Sequence, residues 1–510
     1  MTDGPSNPRR SAALQAAVGA LAVVFALPTL LYPFGRDQGL FEYVGRGWLD
    51  GWLPYVHAWD QKPPGIHVVY ALGAALFGAQ MWSVRLFEIL VVLGQAVVAS
   101  RLVAGPGAPP LRHVGAAAAL IAAFHYAAFD FWHTAQAEPW EALLILAAAV
   151  AADGPYRPSR AAACGALGAA AAWFKPPVLP VALVVGAWLL VSAWRRGGAR
   201  DVVGATAVAV ASGVGLIGIG LLPWLVTGTV DVFIDVVIRY NAAYAANKSA
   251  SVLTLPEFLV FGGRWLVPYT ALTLAGLWVA RADRAALERG AWLAALAGAA
   301  GASVALQGKF YGYHWLVVVA PTATAAVWAL TALAPRSSPR VAAGLGVLAL
   351  AAAFVAPPPW HQNKSWNYAK HWGNTVAYLR GRVDRAAFLD PYRARHMWRF
   401  HYGEVEALSA RIAAVAQPGD TMCSVNYEPV FYTLTELRCP TRFCTRHAIG
   451  DSVVDYRVAE WTAEYERDLA ANPPTFVVLR TRFPNDRRTW AAKGYRVLGE
   501  SELYVVMHRR

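Results

Sequence analysis

The chain has 510 residues, 57% of them hydrophobic, a formal net charge of +13 and a mean hydropathy of +0.36. Apolar runs recur along most of its length, which marks a polytopic membrane protein and excludes a soluble enzyme. The positive charge would suit nucleic acid, but the arginines sit in short loops between apolar stretches, where they set membrane orientation.

A spanning helix needs about 20 apolar residues. Stretches of this kind lie near residues 12–33, 81–100, 114–130, 138–152, 160–174, 177–194, 201–226, 257–280, 290–306, 314–334 and 340–357, which predicts about eleven spans. With the N-terminus inside, the inner connections carry Arg9 and Arg10, Arg101 and Arg112, Arg157 and Arg160, Arg195, Arg196 and Arg200, Arg281, Arg284 and Arg289, and Arg336 and Arg340. Every inner loop is then basic, the positive-inside pattern. The remaining connections and the tail after Pro357 fall on the opposite, periplasmic face. The first apolar run is too long for a cleavable signal and lacks a small-residue cleavage site, so it is expected to stay as an anchor. The expected architecture is a transmembrane domain over 1–357 and a soluble α/β domain over 358–510.

Within the tail, helical periodicity over Leu408 to Ala416 stops at Gln417-Pro418-Gly419-Asp420, and Thr421 to Val425 reads as a buried strand. A short helix is predicted at Pro429 to Thr435, a longer one at Val458 to Ala471, an apolar strand at Thr475 to Arg480, and a terminal strand pair at Tyr495 to Glu500 and Tyr504 to His508. Such alternation predicts a small layered α/β domain. Cys423, Cys439 and Cys444 lie on the oxidising side, where a disulfide is allowed but its pairing is not specified. No spacing matches a zinc site.

Lysine usage is informative because only seven lysines occur and the inner loops use arginine alone. Lys62, Lys175, Lys248 and Lys309 fall on outward connections close to span ends, where each could snorkel to the interface or together line a cationic site. Two of them precede Pro-Pro pairs, in Gln61-Lys62-Pro63-Pro64 and Phe174-Lys175-Pro176-Pro177. Proline extends the lysine backbone and starts the next helix, holding the ammonium near a helix N-terminus, itself an anion site. With acids at Asp37, Asp60 and Glu138, this pattern suits a lipid-linked phosphate. A phosphate leaving group gains charge as its bond to a sugar breaks, so fixed cations stabilise the transition state more than the ground state.

Arg36-Asp37-Gln38-Gly39, Trp59-Asp60-Gln61-Lys62-Pro63-Pro64-Gly65, Gln136-Ala137-Glu138-Pro139 and Gln307-Gly308-Lys309-Phe310-Tyr311-Gly312-Tyr313-His314 resemble the integral-membrane GT-C glycosyltransferases. The similar branch includes protein O-mannosyltransferases and the lipid A aminoarabinose transferase (glycosyltransferase 39/83-like), and the resemblance covers about residues 12–355. It implies a polytopic helical fold, a sugar donor carried on polyprenyl phosphate, an acceptor hydroxyl or phosphate, and inverting transfer at the periplasmic or lumenal face. By similarity, Asp37 matches the essential acid, Glu138 the acid of the second outward loop, and Lys62 a residue that meets the donor phosphate. Asp37-Gln38 replaces the Asp-Glu usual in protein mannosyltransferases, which argues against a protein acceptor. Gln61 stands where relatives often have Glu. Neither a cofactor nor a metal is expected, since no compact carboxylate set would cage Mg²⁺.

The expected reaction has Asp37 orienting or deprotonating the acceptor while the phosphate departs toward Lys62 and Lys309. Arg36 and the nearby lysines are expected to keep Asp37 ionised. Lys175 and His314 are further candidates for the donor phosphate. Tyr311 and Tyr313 could grip it too, although an interfacial aromatic belt explains them equally. Substrate contacts are also expected from Arg36, Asp60, Gln61, Arg85 and Gln136, and from Arg239, Tyr240 and Asn241 in a long outward loop. Arg85 is expected to face a cavity or pair with Glu88, since exposure to lipid would cost about 2.5–3.5 kcal/mol. Membrane lipids and a glycan, lipid or other hydroxyl acceptor are the expected partners. A transporter or lipid flippase would place polar groups at the bilayer midplane, and a glycan polymerase or ligase would share the lipid-linked donor.

Overall fold

The computed structural model describes residues 8–247, 255–355, 367–394, 399–449 and 454–509. Each predicted apolar stretch is helical, from Pro8–Ala26 through Pro339–Val355. Among the described residues, four helices are long and apolar enough to cross a membrane: Met81–Ala104, Pro176–Val226, Arg284–Gln307 and Gly312–Arg336. A fifth arises if Gln15–Leu31 and Arg36–Leu49, bent by 81°, form one span. The helix running to Val226 breaks at Gly197 and Gly198 (φ 60, ψ −145), between the stretches predicted as 177–194 and 201–226. Lys248 lies outside the described residues.

The chain divides into two compact units that interleave along the sequence. The first comprises Met1–Leu27, Arg85–Leu221 and Ser251–His361. At its centre, the helix Leu316–Leu333 is buried from Leu316 to Ala329 and packs against Val114–Ala127, Glu138–Ala152, Leu255–Ala280 and Arg284–Gln307. Lipid offers no hydrophobic drive to bring helices together, so close packing of small residues does. Gly290 shows this: a Cβ there would stand 2.0 Å from the Trp328 ring.

The second unit comprises Pro28–Val84, Leu222–Ala250 and Gln362–Arg510. Its tail contains the two-residue strands β1 (Arg393–Ala394) and β2 (Phe400–His401), then β3 (Met422–Ser424), β4 (Phe476–Arg480), β5 (Arg496–Glu500) and β6 (Tyr504–His508). The larger sheet runs β3-β4-β6-β5, with β3 parallel to β4 and the other pairs antiparallel. Five buried residues in β4 and four in β6 form its core. The predicted helix Val458–Ala471 is found with those bounds, and Val430–Thr435 is the predicted short helix. The four cysteines are free thiols, and Cys423 Sγ lies 3.2 Å from Tyr465 Oη.

Two segments read as loops are helical. Arg36–Leu49 forms a helix packed on Gly65–Phe77 and on Val430–Thr435. A Cβ on Gly39 would meet Val430 backbone and side-chain atoms at 2.8 Å, so only glycine permits this approach. The 230–246 segment, expected as loop, contains a π-helical stretch, Ile234–Tyr240, followed by the helix Asn241–Ala246.

Candidate functional site

Asp37 sits in the first turn of Arg36–Leu49, where a carboxylate complements the positive end of the helix dipole. Its Oδ1 accepts a 3.0 Å hydrogen bond from Tyr427 Oη. The Tyr427 ring lies 5.1 Å from His447. His447 feels both the Asp37 and Lys62 charges, but burial dominates and lowers its pKa to about 4. Asp37, Lys62, Tyr427 and His447 are all partly exposed, so these four side chains share an accessible region of the second unit.

The loop carrying Lys62 is braced from several directions. Tyr55 Oη donates to Lys62 O at 2.8 Å, Asn241 Nδ2 donates to Gln61 O at 2.7 Å, and the Trp59 amide donates to Arg442 O at 2.7 Å. Tyr240 is buried with its ring 5.0 Å from Trp59. Asn241 and Tyr240, expected at the substrate, thus support the loop. Arg239 is exposed and reaches Asp235 at 3.6 Å. The Lys62 ammonium lies over the Phe41 ring, 5.2 Å from its centroid.

Asp60 is buried beneath this group. Its Oδ1 accepts from the Lys62 amide at 3.3 Å, and its Oδ2 is 3.4 Å from His67 Nε2. Burial raises its pKa from 3.8 to about 6; Lys62 opposes the rise and Asp37 adds to it. The folded state therefore holds this proton more tightly than the unfolded chain. Relative to a neutral residue, Asp60 costs nothing below about pH 4, and its cost grows through the window between the two values to about 3 kcal/mol above pH 6. Asp60→Asn should accordingly raise the thermal midpoint at pH 8 and leave it unchanged at pH 4. Equal midpoints for the two proteins at pH 8 would contradict this burial cost.

Arg36, expected at the substrate, is only 1% exposed. It forms a bidentate pair with Glu428, Nε to Oε2 at 3.0 Å and Nη2 to Oε1 at 2.5 Å. Arg480 Nε stands 3.6 Å from the same carboxylate, and Tyr504 Oη donates to it at 3.3 Å. The guanidinium of Arg36 is thus engaged in structure. Removing one partner of such a buried pair typically costs about 3–5 kcal/mol.

A second polar group occupies the first unit. Lys175 Nζ is 2.5 Å from Glu138 Oε1, donates to Gln307 Oε1 at 2.8 Å, and lies 5.3 Å from the centre of the Tyr313 ring. Tyr311 and Tyr313 stack at 5.8 Å, with the His314 ring 4.7 Å from Tyr313. Three expected motifs therefore meet here, and the Lys175 charge is balanced by Glu138. Lys309 is buried, and burial lowers its pKa. Gln136 donates to Trp132 O at 3.2 Å. Arg85 donates to Thr134 Oγ1 and to Phe131 O, while Glu88 accepts from the Ala135 amide at 2.5 Å and is 3.0 Å from His125 Nε2.

Backbone strain marks the same segments. Six non-glycine residues among those described have positive φ, and three of them lie in or beside the motifs: Tyr55 (φ 72), Ala135 (φ 54) and Phe310 (φ 55). Such conformations cost about 1–3 kcal/mol each and persist where the surroundings enforce them, often at functional sites. His447 carries no sequence signal, and Tyr427 follows the strand Met422–Ser424, a place where α/β domains often present ligand contacts. Among the described residues, no group of three or more His, Cys, Asp or Glu could hold a metal ion.

No protein-family model matches the chain, and no curated protein matches it in sequence. Among solved structures, ArnT from Cupriavidus metallidurans bound to undecaprenyl phosphate is similar over 97% of this chain and 97% of that chain, with a TM-score of 0.62 and 18% identity. The apo state of ArnT gives 96% and 97% coverage, a TM-score of 0.59 and 17% identity. The archaeal oligosaccharyltransferase AglB from Archaeoglobus fulgidus, in complex with an inhibitory peptide and a dolichol-phosphate, covers 92% of this chain and 70% of its own, with a TM-score of 0.44 and 12% identity. The likeness to ArnT extends through both the helical region and the tail, and the chain accordingly has the fold of ArnT.

Proposed function

We propose that the chain is an inverting membrane glycosyltransferase that moves a sugar from a polyprenyl-phosphate donor to a hydroxyl of a lipid, polysaccharide or other glycan. The observation that carries this reading is the gathering of Asp37, Lys62, Tyr427 and His447 in one accessible region. A carboxylate able to take a proton and a cation able to meet a phosphate are the two parts the reaction needs. The likeness of fold to a protein bound to undecaprenyl phosphate supports the donor class.

In the proposed step, Asp37 takes the proton of the acceptor hydroxyl as its oxygen attacks the anomeric carbon. The bond from that carbon to the phosphate oxygen breaks, and the electron pair leaves with polyprenyl phosphate, whose growing charge is offset by Lys62. One displacement gives inversion. The step draws on neither a cofactor nor a metal. Glu138, paired with Lys175, is proposed to act as a second acid. We further propose a multi-pass protein of a bacterial inner membrane, with region 1–357 spanning and the 358–510 domain in the periplasm.

The reading is tested by comparing glycolipids and surface polysaccharide, by mass spectrometry, between a deletion strain and its complement. A product mass difference of one hexose, pentose or aminosugar residue is expected and would identify the sugar. Identical glycans with altered uptake of a solute would replace the transferase with a transporter.

A further inference from the structure

Asp37 and Tyr427 are 390 positions apart in sequence, yet the Tyr427 hydroxyl donates to Asp37 Oδ1 at 3.0 Å. Their chain neighbours are also joined, because Arg36 holds Glu428 through two hydrogen bonds. Two consecutive residues near the chain start thus face two consecutive residues of the tail in antiparallel sense. The tail side is fixed on both flanks of Tyr427. Asn426 is buried, its Oδ1 accepts from the Arg480 amide at 2.8 Å, and its carbonyl accepts from Ser424 Oγ at 2.7 Å. Glu428 is buried and held by Arg36, Arg480 and Tyr504. Of these three tail residues, only Tyr427 reaches accessible space.

We propose that Tyr427 is a positioning residue of the transfer site: its hydroxyl fixes one carboxylate oxygen of Asp37 and thereby aims the other at the acceptor, while the Arg36–Glu428 pair sets the register. This rests on the reading of Asp37 as the base. The outer torsion of an aspartate is soft and broad, so a carboxylate at a helix start needs an external donor to hold one orientation. Misplacing a reacting group by about 1 Å can cost on the order of 10²-fold in rate. The tail is in this sense part of the reaction machinery, although it supplies no reacting atom.

The test uses full-length protein in lipid nanodiscs. Transfer is measured from undecaprenyl-phosphate-linked hexose, pentose and aminosugar donors to membranes of the deletion strain, continuing with the donor that the wild type consumes. Tyr427→Phe should lower kcat by about 10–100-fold with donor KM, thermal midpoint and binding of undecaprenyl phosphate unchanged. An unchanged kcat, or a loss that comes through KM or through undecaprenyl phosphate binding, overturns the positioning role. Loss of activity in Asp37→Asn beside full activity in Tyr427→Phe overturns this inference alone. Full activity in Asp37→Asn removes the base and the inference with it.

Discussion

Asp37→Asn is expected to abolish transfer while leaving expression and the thermal midpoint at wild-type levels. The amide is nearly isosteric with the carboxylate, and its carbonyl oxygen still accepts the hydrogen bond from Tyr427. The neighbouring Arg36–Glu428 pair, which anchors this helix start, is not touched. What disappears is the capacity to take a proton from the attacking hydroxyl. General-base assistance contributes about 10²–10⁴-fold, and loss of charge complementarity in a partly enclosed site adds to it. The measurement is the product formed by complemented deletion cells, read by mass spectrometry, alongside the purified variant in a donor-consumption assay. Wild-type product levels from Asp37→Asn would remove this carboxylate from the mechanism.

How far the sequence carries the reader depends on the range of the interaction. Helix positions follow from local hydrophobic runs, so the stretches from 12–33 to 340–357 and the tail helix Val458–Ala471 were legible. Asp37 and Lys62 were legible as charges placed where charge is expensive. The helix Arg36–Leu49 was not, because Gly39, Gly45 and Gly47 lower its intrinsic propensity and tertiary packing forms it instead. All three are places of close approach, Gly39 to Val430, Gly45 to the His67 carbonyl and Gly47 to the Trp52 ring. The partners of Arg36 and Lys175 were also hidden. Both are balanced by carboxylates far off in sequence, Glu428 and Glu138, and no periodicity encodes such a pair. Tyr427 and His447 join Asp37 through the packing of the tail, a contact that no local motif encodes.

Lys62→Ala should weaken binding of undecaprenyl phosphate by roughly 10–100-fold, whereas Lys62→Arg should lose less. The backbone around Lys62 is held by Tyr55, Asn241 and the Asp60 carboxylate, with Pro63 and Pro64 following. The ammonium is therefore delivered from a fixed base and pays little ordering entropy on meeting a phosphate. At about 4 Å and an effective dielectric near 20, a single charge pair interacts by roughly 4 kcal/mol. Desolvation of both groups leaves about a third to two-thirds of that, and each 1.4 kcal/mol is tenfold in affinity. Arginine keeps the charge but replaces a compact ammonium with a planar fork, which suits a phosphate yet displaces it from the position set by the lysine stem. Native mass spectrometry of the full-length protein with undecaprenyl phosphate reads the effect directly. Equal binding by Lys62→Ala and wild type would show that the donor phosphate is held elsewhere, and the Lys-Pro-Pro loop would then be a structural turn rather than a cation site.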